Sequence, residues 1–164
     1  MREIKFRGYN RKNKQWLYGF YLQNRGAHFV APDEFATGKS WEDYEIDPAT
    51  LGQFTGFTDS KETDIYDGDI IQVKGGPYHQ IKWLNEIGGF GICNLVSMRE
   101  LTKWPDRCLF SIPAQDWWQD FGREIIVAGN IHDNPDYLER FVEQRKKKED
   151  LLRVPGINKN IELV

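Results

Sequence analysis

Residues 3–7 alternate, with Ile4 and Phe6 on one side and Glu3, Lys5 and Arg7 on the other. This is the period-two pattern of a strand with one face in water. Residues 10–15 are polar and turn-like, and an aromatic strand resumes over 16–22, so the two runs predict an opening hairpin. A short strand is expected at 28–31, and the acidic stretch 32–48 lacks periodicity and predicts a long loop. Further strands are expected at 51–57, 65–74, 80–84, 90–96, 109–112 and 124–131. Gly75-Gly76-Pro77 and Gly88-Gly89 punctuate them. Residues 98–101 and 114–121 predict short helical turns.

Asn134-Pro135 predicts the start of a helix, because Asn is a good N-cap and Pro suits the first helical position. Acidic residues follow early, and Arg145, Lys146, Lys147 and Lys148 come late, which complements the helix dipole. Tyr137, Leu138, Phe141 and Val142 form one apolar stripe, so the first two turns are expected to dock. Pro155-Gly156 ends the helix and leaves a tail. These elements give an α+β, mainly β fold: an antiparallel curled sheet or barrel over residues 1–134, as one unit or two subdomains sharing a core. Residues 135–164 would form a helix and tail packed on that domain or on a neighbouring subunit.

Composition sharpens this picture. Six Trp, 7 Tyr and 10 Phe in 164 residues favour pleated, half-buried surfaces. No window reaches the roughly 18–20 apolar residues of a membrane span, and the amino terminus lacks a signal-peptide core, so a cytoplasmic protein is expected. Cys93 and Cys108 lack metal-type spacing and predict two reduced core thiols. The net charge of −3 gives no global attraction to a polyanion. Residues 1–14 hold Arg2, Lys5, Arg7, Arg11, Lys12 and Lys14 against Glu3, while 33–47 are acidic, which predicts a basic hairpin beside an acidic loop, each solvated.

Candidate chemistry is sparse. Asp59, Glu62, Asp64, Asp67 and Asp69 invite a cation reading, but their spacing fails the calcium-loop template. The stretch from Asp59 through Asp67 is better explained as a polar turn, and Gly56, Asp67, Gly68 and Asp69 as turn residues, with Asp67-Gly68 opening the strand 69–73. His132-Asp133 suggests acid–base work, yet a capping role for Asp133 or for Asn134 and Pro135 is favoured at a strand-to-helix junction. No nucleophile elbow is present, and Gly88-Gly89-Phe90-Gly91 has the look of a hairpin turn rather than a phosphate loop. No catalytic residue, metal ligand or cofactor is assigned. Arg7, Arg11 and Lys12, beside Trp16, Tyr18 or Tyr21, are the candidate nucleic-acid contacts, a reading the acidic balance disfavours. Ile157, Ile161, Leu163 and Val164 in the tail would be covered by their own domain or by a neighbouring subunit; a homo-oligomer with an unidentified protein partner is expected.

Three stretches together resemble the YopX family of phage and prophage proteins: Met1-Arg2-Glu3-Ile4-Lys5-Phe6-Arg7-Gly8-Tyr9; Phe54-Thr55-Gly56-Phe57 running on to Ile65-Tyr66-Asp67-Gly68-Asp69-Ile70-Ile71; and Gly129-Asn130-Ile131-His132-Asp133-Asn134-Pro135. The family pattern usually has a Gly before the Ile-Tyr strand, where this chain has Lys61-Glu62-Thr63-Asp64. The resemblance implies a phage-associated, largely β protein, and its Gly-Asp-Ile-Ile run is similar to a strand entry in SH3-like barrels. It implies no activity. The leading expectation is therefore a non-enzymatic interaction or self-assembling protein. The alternatives are a nucleic-acid-binding module and a metal-dependent hydrolytic enzyme built on the central carboxylates.

Overall fold

The structure, a computed structural model, describes residues 3–32, 34, 38–73, 78–94 and 124–136. Among the described residues there are nine strands: β1 (Phe6–Asn10), β2 (Gln15–Asn24), β3 (Ala27–Ala31), β4 (Asp47–Thr58), β5 (Asp64–Tyr66), β6 (Asp69–Val73), β7 (Tyr78–Leu84), β8 (Gly89–Asn94) and β9 (Ile125–Asn130). They form two open sheets, one in the order β3-β2-β1-β4-β5 and one in the order β8-β7-β6-β9, with every pairing antiparallel. The mainly β, antiparallel expectation is met, and the closed SH3-like barrel is not. Each sheet keeps two edges among the described residues.

Local chemistry accounts for the hairpins. Asn10 Oδ1 accepts the Asn13 N–H at 2.6 Å and closes the β1–β2 turn. Between β2 and β3 the loop is Arg25-Gly26, both with positive φ (50° and 85°), the two-residue turn whose twist matches the strands it joins. Residues 85–88 close the β7–β8 hairpin, where Gly88 has φ +61°. From Ser40 onward the acidic stretch is not a loop. Trp41–Tyr44 is a 3₁₀ turn capped by Ser40 and Asp43, Tyr44 and Ile46 are buried, and β4 already begins at Asp47.

The run 65–74, read as one strand, is two. Asp67-Gly68 turns the chain from β5 in the first sheet to β6 in the second. Every backbone group of this turn is tied to a different element. Asp67 N–H donates to Gln53 O (2.9 Å), Gly68 N–H to Ile81 O (2.9 Å), and Gly68 O accepts from Ile131 N (3.0 Å). Buried between the sheets, Ile65 of β5 packs with Ile71, Ile81, Phe90, Ile92 and Ile125, with Phe57 and Val127 alongside. Each of these side chains contributes on the order of 1.5–3 kcal/mol by leaving water.

Several expectations are corrected here. Arg7, placed by alternation on the water face of β1, is buried, while Ile4, placed in the core, is 66% exposed. Alternation assumes one dry face, whereas β1 is a central strand, flanked by β2 and β4, whose Arg7 side meets β6 of the other sheet. Cys93 is buried and disulfide-bonded, not the reduced thiol expected, and its partner lies outside the described residues. The expected strand 109–112, the helical turns 98–101 and 114–121, the helix beyond Asp136 and the tail with Ile157, Ile161, Leu163 and Val164 also lie outside them. Among the described residues no helix is long and apolar enough to cross a membrane.

Gly68 holds φ +86°, a conformation that a β-branched side chain adopts only with strain. Gly68→Val is expected to destabilise the fold by more than about 1 kcal/mol. Chemical denaturation checks this, and an unchanged midpoint would show that the sheet-switching turn does not need a glycine.

Candidate functional site at the junction of the sheets

Where the two sheets meet, β1 supplies a cation and β6 an anion. Arg7 Nη1 lies 2.6 Å from Asp69 Oδ1, with both side chains almost fully buried. The guanidinium stacks between two rings, 4.9 Å from the Trp16 centroid and 5.1 Å from that of Tyr66, and its Nη2 donates to Asp67 O at 3.2 Å. Gly52 stands opposite Arg7 on β4 and leaves room for this approach, since a Cβ there would lie 2.5 Å from Asp67 O. Asp69 Oδ2 accepts the Tyr66 N–H at 2.8 Å. Burial nevertheless pushes the Asp69 carboxyl up to about 6, ahead of the opposing pull of Arg7 and the Tyr66 amide.

A cleft of about 330 Å³ opens over this pair, lined by Tyr18, Tyr66, Asp64, Asn130 and the ion pair itself. Tyr18 stands half exposed at the cleft, its ring 5.7 Å from that of Tyr66 in an edge-to-face contact. Burial raises the Tyr18 hydroxyl, and Asp69, Asp133 and Asp64 add to this against Arg7. Tyr66 is raised further, by burial first and then by Asp64. Asp64 Oδ2 holds Lys5 Nζ at 2.6 Å and accepts weakly from the Tyr66 hydroxyl at 3.4 Å.

The other carboxylates of the central stretch act as fasteners. Asp59 Oδ1 accepts the Lys61 and Thr63 amides (2.8 and 2.9 Å), and Oδ2 accepts Val127 N (2.9 Å) from a strand 68 residues away. Burial raises the Asp59 carboxyl, but these amide hydrogen bonds outweigh it and hold it below the usual range. Asp67 Oδ1 takes the Trp83 N–H at 3.3 Å, and burial pushes that group up. Glu62 is exposed in the turn with φ +64°, and Gly56 has φ +92° where the β4–β5 register shifts. Among the described residues no three of His, Cys, Asp and Glu stand together to hold a metal ion.

His132 and Asp133 do not face each other as a proton-transfer pair. Asp133 Oδ2 accepts from Trp16 Nε1 and from Asn130 Nδ2, both at 2.8 Å. The turn after β9 is capped by Asn130, whose Oδ1 accepts both the His132 and Asp133 amides at 2.9 Å. Asn134 Oδ1 reaches back to Asn130 N at 3.2 Å, just ahead of Pro135, and the helix that Asp133 or Asn134 is expected to cap lies outside the described residues. Burial lowers the His132 imidazole, with Arg7 acting in the same direction.

The basic hairpin is not a free cationic face. Besides the buried Arg7, Arg11 Nη2 pairs with Asp47, and Lys12 Nζ sits 3.7 Å from both Glu42 and Asp43. The basic hairpin lies beside the acidic stretch as expected, and the two pair with each other while Arg11, Lys12 and Glu42 stay largely in water. Of the aromatic candidates, Trp16 lies over Arg7, Tyr21 bonds His28 Nδ1 at 2.7 Å, and Tyr18 is the one left at the cleft.

These features describe a two-sheet β protein with a polar junction. The family model described as "YopX protein" matches residues 5–139, and the chain belongs to the YopX family. Among solved structures, it is similar to protein EF1440 from Enterococcus faecalis at 22% identity and a TM-score of 0.46, over 84% of this chain and 99% of the other. No curated protein matches it.

Arg7→Met would leave the Asp69 carboxylate buried without its counter-charge, which costs about 3–5 kcal/mol when the acid is ionised. A raised carboxyl favours the fold below its ordinary value of 3.8, and this contribution is lost as pH rises through about 6. Without Arg7 the folded value rises further, so the penalty is expected to be large at pH 8 and clearly smaller at pH 5. Urea unfolding at the two pH values measures it. An equal penalty would mean that Asp69 is not the group left uncompensated.

Proposed function

We propose that this chain is a non-enzymatic, phage- or prophage-associated protein that works by binding and that self-associates in the cytoplasm. The observation that carries the reading is the use made of the groups that chemistry would need. Asp59, Asp67, Asp69 and Asp133 each spend an oxygen on a backbone amide or a side-chain N–H inside the fold. A general base or metal ligand needs a lone pair directed at a reacting atom. The carboxylates of the stretch 59–69 also diverge, Asp59 towards β9, Asp64 towards Lys5 and Asp69 towards Arg7. Nucleic-acid binding through Arg7, Arg11 and Lys12 is weakened as a reading by the same geometry, since a phosphate would have to displace a carboxylate at each.

Self-association draws on the apolar tail residues Ile157, Ile161, Leu163 and Val164, proposed to add to a sheet edge or groove of a second copy. Light scattering on the full chain is expected to give a multiple of the chain mass, falling on truncation after Arg153 at matched concentration. A monomeric full-length chain removes the self-association proposal. Equal masses for the two species remove the tail from it. A mobility shift on single-stranded DNA at moderate salt, abolished by Arg11→Gln with Lys12→Gln, would replace the binding partner proposed here with a polyanion.

A further inference from the structure

We propose that the outer face of the β2–β3 hairpin is the docking surface for this chain's own carboxy-terminal helix, which lays the stripe Tyr137, Leu138, Phe141 and Val142 along Tyr18 and Leu22. The hairpin has two distinct faces. Phe6, Tyr21 and His28 share one, through a ring contact of 5.6 Å between the first two and a contact of 2.7 Å between the Tyr21 hydroxyl and His28 Nδ1. Trp16, Tyr18 and Leu22 alternate onto the other, which is the face of Arg7, and Phe29 stands opposite Leu22 there.

The second sheet meets this face at β1, where Asp69 holds Arg7. Further out along the hairpin the face is open. Tyr18 is 50% exposed, Leu22 38%, and Trp41, whose ring stands edge-on to Phe29 at 5.7 Å, 46%. Singly scattered apolar residues on a surface need no explanation, but large ones gathered on one side of a hairpin form a patch that something covers.

Position, length and tethering choose the occupant. Trp16 Nε1 donates to Asp133 Oδ2 at 2.8 Å and its ring lies 6.0 Å from that of His132, so the chain reaches Asp136, the last described residue, beside the inner end of the patch. The helix that Asn134-Pro135 predicts therefore starts where the apolar face starts. From Tyr18 to Leu22 the strand advances about 13 Å, and from Pro135 to Val142 a helix advances about 11 Å. Both surfaces then turn polar together: Gln23, Asn24 and Arg25 follow Leu22 and are exposed, and Glu143-Gln144-Arg145-Lys146 follow Val142. A stripe tied this close to its surface meets it at an effective concentration on the order of millimolar, which an untethered partner has to exceed.

Docking of the helix on its own copy stands apart from self-association through the tail, and either can fail alone. The test uses the full chain with the photo-crosslinker p-benzoylphenylalanine in place of Leu22. Isotopically light and heavy copies are unfolded, mixed, refolded together and irradiated, and the crosslinked peptides are read by mass spectrometry. The expected result is a crosslink to the peptide that holds Phe141, in light–light and heavy–heavy products only. Mixed light–heavy products would place the helix on a neighbouring copy, and a crosslink elsewhere or none would remove it from this face; each overturns the proposal. Hydroxyl-radical footprinting gives an independent reading without the crosslinker. Leu138→Asp with Phe141→Asp should raise the modification of Tyr18 and Leu22 several-fold and leave Ile87, exposed in the β7–β8 turn, unchanged. Equal modification of Tyr18 and Leu22 with and without the substitutions overturns the docking. Should the double variant loosen the whole fold and raise Ile87 as well, the crosslink, made with the helix intact, decides.

Discussion

A guanidinium and a carboxylate taken out of water together lose several kcal/mol of solvation per ion, and their attraction offsets this only when the geometry around both is well made. The junction of the two sheets is organised by that constraint. Arg7 receives a carboxylate, a backbone carbonyl and two aromatic faces; Asp69 receives the amide of Tyr66. That Asp69 is still pushed up to about 6 shows burial outweighing the attraction of its partner. Such a pair contributes little net stability. Its effect is on how the two sheets are placed, because moving β1 away from β6 would bury one charge without the other.

The same preference for internal pairing runs through the rest of the charged surface. An overall charge of −3 hides a basic amino-terminal hairpin, and the fold brings the acidic residues Glu42, Asp43 and Asp47 to it. Exposed pairs of this kind are each worth at most about 1 kcal/mol, so their larger consequence is for recognition. A face that was cationic in sequence is close to neutral in space.

Strands were legible in the sequence because aromatic and β-branched runs separated by polar turns have few other ways to bury their surface. The Asp67-Gly68 turn was legible for the same local reason. That this turn moves the chain from one sheet to the other was not, because turn chemistry fixes a bend and leaves open which strands lie beyond it. Arg7 misled because alternation presumes one wet face, and only its ion pair with Asp69 of the other sheet shows that this side is covered. Asp59 was legible as the start of a polar turn, and Asn130 was passed over although it carries the same signal. Both are Asx residues at the head of a polar turn, where the side chain accepts amides two to four positions on. The cleft had no signal at all, since β1, β2, β5, β6 and β9 each contribute only one or a few of its lining residues. The three stretches that carry the family resemblance converge on it, the first through Arg7, the second through Tyr66 and Asp69, and the third through Gly129 and Asn130.

The placement of β9 has a kinetic side. β6 pairs with β7, its neighbour in sequence, on one flank, and with β9, which arrives from far along the chain, on the other. Long-range antiparallel closure is slow compared with hairpin formation. About 50 residues separate the two strands, so a ribosome adding roughly 5–20 residues per second leaves the outer edge of β6 bare for about 3–10 s. Ile70 and Ile71 lie on that strand and are fully buried once it is paired. During the interval the edge presents unpaired backbone groups that the later arrival of β9 covers.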